Sequence, residues 1–198
     1  MKHHRETEIK LPAGDWGALR KGLSRLGFKV LKPRHFERNW LFDFGDLRLR
    51  RSQSLLRLRL AGGAACLTFK GPPLPSARHK IRREIETHVE DGALLFEILK
   101  SLGLKPVFIY EKYRTVYSER GNAGPGLPQV AYDQTPVGDY LELEGPGKWI
   151  DQVASGLGYS PRDYITSSYV ALYLEKCRTE GQKPSNMVFG RGRSRPAL

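Results

Sequence analysis

Charge alternates with apolarity along six stretches of this chain, and within each stretch the charged residues keep to one parity. Glu6, Glu8 and Lys10 oppose Thr7 and Ile9. Arg57 and Arg59 oppose Leu56, Leu58 and Leu60. Thr68 and Lys70 oppose Leu67 and Phe69. Lys80, Arg82, Glu84 and Glu86 oppose Ile81 and Ile85. Lys112 and Arg114 flank Tyr113, and Glu142 and Glu144 oppose Leu141 and Leu143. A period of two is the signature of a β-strand with unlike faces. One such strand describes a half-buried sheet with a wet face. Six of them, with charged faces made mostly of Arg, Lys and Glu, constrain the fold further. Their apolar faces need cover, and if the sheet closes, the charged faces become its interior. A closed interior of that kind is costly to desolvate unless water, metal ions or an anionic ligand fills it. The pattern predicts an α+β domain in which an antiparallel sheet curls around a polar interior and helices pack on its outside.

The cover comes from segments of helical period. Trp16, Leu19, Leu23 and Leu26 recur at helical spacing after Asp15. Leu94, Leu95, Ile98 and Leu102 predict the apolar face of a second helix after Asp91, and Lys148 to Leu157 predicts a third. Each of these runs into the same stop, Leu26-Gly27-Phe28, Leu102-Gly103-Leu104 or Leu157-Gly158-Tyr159, with glycine at the position that favours a left-handed backbone. Ser160-Pro161 predicts the start of a last helix running to about Cys177. Further strands are expected over His35–Phe44, Asp46–Leu60, Gln129–Asp133 and Asp139–Glu144, with loops at Gly71–Pro75 and Arg120–Pro128.

The 198 residues fit one domain with a tail. The expected division is a domain over 1–177 and a polar, basic, disordered tail over 178–198. No apolar run is long enough to cross a bilayer, and no signal segment precedes the first strand, so a cytoplasmic protein without a membrane partner is expected. Cys66 and Cys177 lack metal-ligand spacing and are expected as reduced thiols. The formal charge is +12, of which Arg178 to Leu198 carries +4 and the body +8. Such a body favours anionic partners: nucleic acid, a membrane surface or phosphorylated small molecules.

Lys and Arg neutralise phosphate oxygens, and Glu and Asp hold hard divalent ions between carboxylate and phosphate. Both sets on one lining point to a metal–polyphosphate complex and to phosphoryl or nucleotidyl transfer. No Walker loop, kinase signature or GxSxG elbow competes with that reading.

The same residues carry a resemblance. Glu6-Thr7-Glu8-Ile9-Lys10 resembles the ExExK signature of the CYTH family, the triphosphate tunnel metalloenzymes. The likeness continues in order through Leu56-Arg57-Leu58-Arg59, Leu67-Thr68-Phe69-Lys70-Gly71-Pro72, Arg82-Arg83-Glu84-Ile85-Glu86, Glu111-Lys112-Tyr113-Arg114, Asp133-Gln134-Thr135-Pro136, Leu141-Glu142-Leu143-Glu144 and Ser168-Tyr169. It covers about residues 5 to 177 and is nearest in pattern to class IV adenylate cyclases. The resemblance implies a closed antiparallel β-barrel that binds a triphosphate with Mg²⁺ or Mn²⁺. It implies Lys10, Arg57, Arg59, Lys70, Arg82, Lys112 and Arg114 as the phosphate grip, and Glu6, Glu8, Asp133, Glu142 and Glu144 as metal holders. Glu84, Glu86, Lys80 and Tyr169 are expected in support. The segment His35-Phe36-Glu37-Arg38-Asn39-Trp40-Leu41-Phe42-Asp43 resembles a cyclase-type HFxxxxxxFD stretch, with Asn39-Trp40 where Asp-Thr or Asp-Tyr is common.

Two activities share such a lining. A cyclase converts ATP to cyclic AMP and pyrophosphate, and a triphosphatase releases phosphate from tripolyphosphate or thiamine triphosphate. A non-catalytic polyphosphate, nucleotide or nucleic-acid binder is the alternative of another class. The glutamates interleaved with the cations argue against a nucleic-acid partner. A monomer or homodimer is expected.

Overall fold

A computed structural model of the protein describes residues 4–119 and 126–190. Eight strands form one closed antiparallel barrel: β1 (His4–Pro12), β2 (Phe28–Phe44), β3 (Leu55–Ala61), β4 (Ala64–Leu74), β5 (Lys80–Val89), β6 (Leu104–Glu119), β7 (Gln129–Thr135) and β8 (Gly138–Glu144). The order around the barrel is β1-β5-β4-β3-β2-β6-β7-β8, and β8 closes it by pairing Ile9 with Leu143. Closure leaves no free edge and turns one parity of every strand inward.

Helices cover the apolar outside. α1 (Trp16–Arg25) and α4 (Gly147–Gly156) bury Leu19, Leu23, Ile150 and Val153 against Ile9, Leu11, Val130, Leu141 and Leu143. α3 (Gly92–Ser101) covers Trp40, Phe42 and Leu58 with Leu95, Phe96 and Leu99. This is a different stripe from the expected one. Leu94, Ile98 and Leu102 are 46–67% exposed. Gly92 sets the rotation, because a Cβ there would meet Leu60 and Ala65 at 2.7 and 2.8 Å, and Phe96 packs edge-on to Trp40 and Phe42. The Leu-Gly stops hold: Gly27, Gly103 and Gly158 have φ of 86°, 86° and 87°.

Three other expectations are corrected. The strand expected over Asp46–Leu60 is split by a one-turn helix, α2 (Arg48–Arg51), before β3. Asp43 causes the turn: its carboxylate accepts the backbone N–H groups of Phe44, Leu49 and Arg50 at 2.8, 3.0 and 2.9 Å. The loop expected at Gly71–Pro75 is largely strand, with the prolines absorbed by a register shift between Lys70 and Pro73. The helix expected from Ser160 ends after a single 3-10 turn at Pro161–Asp163, because Ile165 exchanges backbone hydrogen bonds with Lys10 at 2.8 and 2.9 Å. A new helix, α5 (Tyr169–Thr179), starts at the cap Ser168.

The stretch expected to be disordered from residue 178 is ordered through Gly190. β7 pairs with β6 only over Tyr113–Tyr117 and does not extend to Ile109 and Glu111. Met187 takes that place as a parallel bridge, donating to Ile109 O at 3.0 Å and accepting from Glu111 N at 2.9 Å. Asn186 accepts from Ile109 N through its side chain, Met187 is fully buried, and Phe189 stacks on Tyr113. The residues 191–198, and most of the glycine-proline loop expected over 120–128, lie outside the described residues. Both cysteines are free and buried.

Candidate functional site

Inward parity brings every residue singled out in the sequence onto one lining, in three clusters. The first joins β6, β7, β8 and α5 around Asp133, which is fully buried. Arg114 grips it with two bonds, Nε to Oδ1 at 2.7 Å and Nη2 to Oδ2 at 2.6 Å. Lys112 Nζ donates to Oδ2 at 2.9 Å and the Tyr169 hydroxyl donates to the same oxygen at 2.7 Å. Arg114 also reaches Glu142 at 3.0 Å, and Lys10 lies 3.3 Å from Glu142. The ring of Tyr169 faces the ammonium groups of Lys10 and Lys112 at 5.0 and 5.3 Å.

The second cluster spans β1, β5 and β4. Lys70 bridges Glu6 and Glu84, the latter at 3.0 Å. Lys80 and Lys10 both contact Glu8, at 2.5 and 3.4 Å. Glu144 sits across from Glu8 in the register and accepts from Gln129 at 3.1 Å. The third cluster lies on β3, β4 and β5. Arg57 and Arg59 both approach Glu86, at 3.6 and 3.5 Å, and Thr68 hydrogen-bonds Glu86 at 2.9 Å. Arg57 also donates to Thr68 and to the Tyr110 hydroxyl. Arg82 faces Glu6 in the register between β5 and β1.

Two inward residues escaped the sequence reading. Glu37 is buried between Lys112 at 3.6 Å, Arg59 at 3.9 Å and His35 at 3.3 Å. Asn39 is fully buried, and neither atom of its carboxamide has a partner among the described residues. The available signal was parity, since Glu37, Asn39 and Leu41 alternate with outward Arg38 and Trp40. Trp40 packs under α3 against Phe96. With Glu37 included, the lining carries eight cations (Lys10, Arg57, Arg59, Lys70, Lys80, Arg82, Lys112, Arg114) and eight carboxylates (Glu6, Glu8, Glu37, Glu84, Glu86, Asp133, Glu142, Glu144).

Burial and pairing compete at each group. Burial drives Lys10 and Lys70 downward, but the carboxylates Glu142 and Glu8 around the first, and Glu6 and Glu8 around the second, outweigh it and raise both. Burial raises Glu8 and Glu142, yet neighbouring lysines and Arg114 pull both below the ordinary range. Glu6 goes the other way: burial, reinforced by Glu8, lifts it to about 7 despite Lys70. Glu144 is raised too, by burial and then by Glu6.

These differences sort the carboxylates. A carboxylate offers about four acceptor sites, and Asp133 has four donors on it. It orients Arg114, Lys112 and Tyr169, with three of the four bonds on Oδ2 and one on Oδ1. Glu6 and Glu144 are the under-compensated carboxylates: burial lifts both, Glu6 further by Glu8 and Glu84, and Glu144 further by Glu6. Among the described residues no three acidic, histidine or cysteine side chains converge as a ready-made cage. The under-compensated carboxylates Glu6 and Glu144, with Glu8 beside them as a further hard oxygen donor, nevertheless fit a divalent cation. A cavity of about 70 Å³ lies between Lys10, Lys70, Lys80, Arg57, Lys112, Glu8 and Glu142, and its other side is lined by Leu41, Leu55, Tyr110 and Tyr169. That holds about two waters.

The comparisons with known proteins agree with this geometry. A candidate adenylate cyclase of Methanocaldococcus jannaschii is 32% identical over 139 residues, covering 70% of this chain and 75% of that protein. A candidate adenylate cyclase structure from Vibrio parahaemolyticus superposes with a TM-score of 0.73 at 17% identity, covering 86% of this chain and 98% of the other. A Pyrococcus horikoshii protein gives 0.69 at 24% identity, with 84% and 98% covered. A Hippeastrum candidate adenylyl cyclase, described as having a dominant triphosphatase activity, gives 0.56 at 18% identity, with 91% and 97% covered. At these identities the solved structures speak for the fold alone. The CYTH domain pattern matches residues 4–167, and the chain belongs to the CYTH family.

Proposed function

We propose that the protein is a metal-dependent enzyme acting on a triphosphate inside the barrel, and that ATP is cyclised there to cyclic AMP and pyrophosphate. One observation carries the reading. The lining pairs every phosphate-binding type of cation with a carboxylate that an incoming anion can replace, and it does so around a cavity inside the barrel. Lys10, Arg57, Arg59, Lys70, Arg82, Lys112 and Arg114 receive the phosphate oxygens, Arg114 from an orientation fixed by Asp133. Glu6, Glu8 and Glu144 would hold Mg²⁺ or Mn²⁺, which supplies charge neutralisation at those oxygens when bound. Asp133 and Glu142, expected as metal holders, are here assigned to holding Arg114, Lys112 and Lys10. Cyclisation requires the ribose 3′-oxygen to attack the α-phosphorus, with the lining stabilising charge on the departing pyrophosphate. No described helix is long and apolar enough to cross a membrane, and we place the enzyme in the cytoplasm.

A second reading, hydrolysis of a triphosphate, is favoured by the dominant triphosphatase activity given for the Hippeastrum relative. The two separate in one experiment. Purified protein is incubated with Mg²⁺ or Mn²⁺ and ATP, tripolyphosphate or thiamine triphosphate. Cyclic AMP with stoichiometric pyrophosphate is the expected result. Phosphate release without cyclic AMP replaces cyclisation by hydrolysis, and binding without turnover under either ion refutes the enzyme.

A further inference from the structure

The lining is neutral, eight charges against eight, so the whole formal charge of +12 lies outside the tunnel. Half of it falls in one stretch. Between Trp16 and Phe36 there are six Lys/Arg residues and no Asp or Glu. That stretch is α1 and the first part of β2, which lie in contact. Arg20, Lys21, Arg25, Lys29, Lys32 and Arg34 are all exposed. None forms an ion pair among the described residues. Arg34 alone is engaged, stacked 3.6 Å from the Tyr113 ring and donating to Gln134 at 2.7 Å. By contrast α3 and α5 compensate their own cations, through Lys100–Glu97 on α3 and Lys176–Glu180 and Arg178–Glu175 on α5. The same stretch exposes three aliphatic side chains, Leu26 at 39%, Val30 at 54% and Leu31 at 45%.

Asp15, the cap of α1, lies beside Lys21 and Arg25, but cations dominate the face, and a surface so weighted selects a polyanion. The side chains set among the cations decide which kind. Binding of single-stranded nucleic acid uses exposed aromatic rings for stacking, and the aromatics of this stretch are engaged: Trp16 is stacked on Tyr132 at 3.7 Å, Phe28 is buried edge-on to Trp149, and Phe36 packs edge-on to Tyr113. Leucine and valine ringed by lysine and arginine suit a headgroup boundary instead, where the cations meet anionic headgroups and the aliphatics sink into the acyl edge. We infer that the α1–β2 face docks the protein on an anionic lipid bilayer. The sequence-based expectation of no membrane partner rested on the lack of a spanning segment, and docking from one side needs none. The inference stands apart from the proposed reaction.

The test is cosedimentation of the full chain with phosphatidylcholine vesicles, with and without phosphatidylserine, at low and high salt. Binding only to phosphatidylserine vesicles, and weakening with salt, is expected. The combined variant Lys21→Gln, Arg25→Gln and Lys29→Gln is expected to lose about 100-fold in vesicle affinity, with an unchanged circular dichroism spectrum. The combined variant Val30→Ser and Leu31→Ser is expected to weaken vesicle binding as well. Replacing Arg191, Arg193 and Arg195 by Gln should leave binding in place; loss there moves the contact to the C-terminal residues and overturns the inference. Equal binding to neutral vesicles overturns it too, as does capture by single-stranded or duplex DNA without capture by vesicles.

Discussion

Asp133→Asn discriminates between two roles for the best-buried carboxylate of the lining. If Asp133 is an anchor, the substitution removes the acceptor for two bonds from Arg114, one from Lys112 and one from Tyr169. Asparagine keeps one acceptor oxygen and turns an NH₂ donor toward Arg114 and Lys112, which only donate. Arg114 retains Glu142, and Lys112 retains a longer contact to Glu37, so part of the charge stays compensated. Removing one partner of a buried pair typically costs about 3–5 kcal/mol. For a chain of this size, that lowers Tm by about 6–20 °C. The assay is thermal and urea unfolding followed by circular dichroism, with Asp46→Asn as the control. Asp46 makes its ion pairs at the surface, and its variant should stay within about 0.5 kcal/mol of the parent. Tripolyphosphate offers a second readout. An anion on Arg114 and Lys112 supplies the missing charge, so saturating ligand should return about 2–3 kcal/mol to the variant. An Asp133→Asn protein that melts with the parent, and differs only in its response to Mn²⁺, would refute the anchoring argument and restore Asp133 as a metal holder.

The remaining predictions test other parts of the barrel. Glu6 has a folded pKa lifted to about 7, first by burial and then by Glu8. Its protonated form therefore favours the fold, and the stability it contributes is present at low pH and lost as pH rises from about 4.5 towards 7. Glu6→Gln should flatten the fall in Tm over that window in metal-free buffer, and parallel Tm profiles for variant and parent would count against the shift. Met187 is fully buried on the edge of β6 that β7 does not reach. Met187→Ala should cost about 2–4 kcal/mol in urea unfolding, whereas a loose tail would leave the midpoint unmoved. Calorimetric titration should show Mg²⁺ or Mn²⁺ raising tripolyphosphate affinity by the same factor as tripolyphosphate raises that of the ion; independent affinities would mean that the cations of the lining neutralise the anion alone.

Most of the wall was legible because strand parity is local information. Each alternation needs only the residues of its own strand, so Lys10, Arg57, Lys70, Arg82, Lys112 and Glu142 could be placed on one surface before any pairing was known. The Leu-Gly stops were equally local. What escaped depends on partners distant in sequence. The short helix after Asp43 exists because one carboxylate collects three backbone N–H groups up to seven residues away. The helix from Ser160 stops because Ile165 pairs with Lys10. Ser185 to Phe189 are ordered because β7 is too short to cover β6, a fact about the length of another strand. Glu37 was obscured by Arg38, whose outward charge breaks the simple alternation. Chemistry within the lining was the least legible of all. Glu6 and Asp133 look alike as letters, and only the count of donors around each one separates a heavily bonded anchor from an under-compensated carboxylate.

That distinction explains how a barrel filled with charge stands without its ligand. Sixteen ionised groups inside one domain would be prohibitive if each bore its own desolvation cost. Cross-strand pairing sets opposite charges against one another, Lys70 between Glu6 and Glu84, Lys80 and Lys10 on Glu8, and Arg114, Lys112 and Lys10 around Asp133 and Glu142. Under the proposed function, binding is an exchange in which phosphate oxygens would take the place of carboxylates on cations already desolvated, and the displaced carboxylates would need a new positive partner. Lysine suits the exchangeable pairs, because its flexible stem lets one ammonium turn from carboxylate to phosphate. Arginine suits the fixed one, because two parallel bonds from Arg114 to Asp133 keep its remaining donors aimed. The lining thus divides by residue type: Lys10, Lys70 and Lys80 with Glu6, Glu8 and Glu142 form the part that rearranges, while Arg114, Asp133 and Tyr169 form the frame against which it moves.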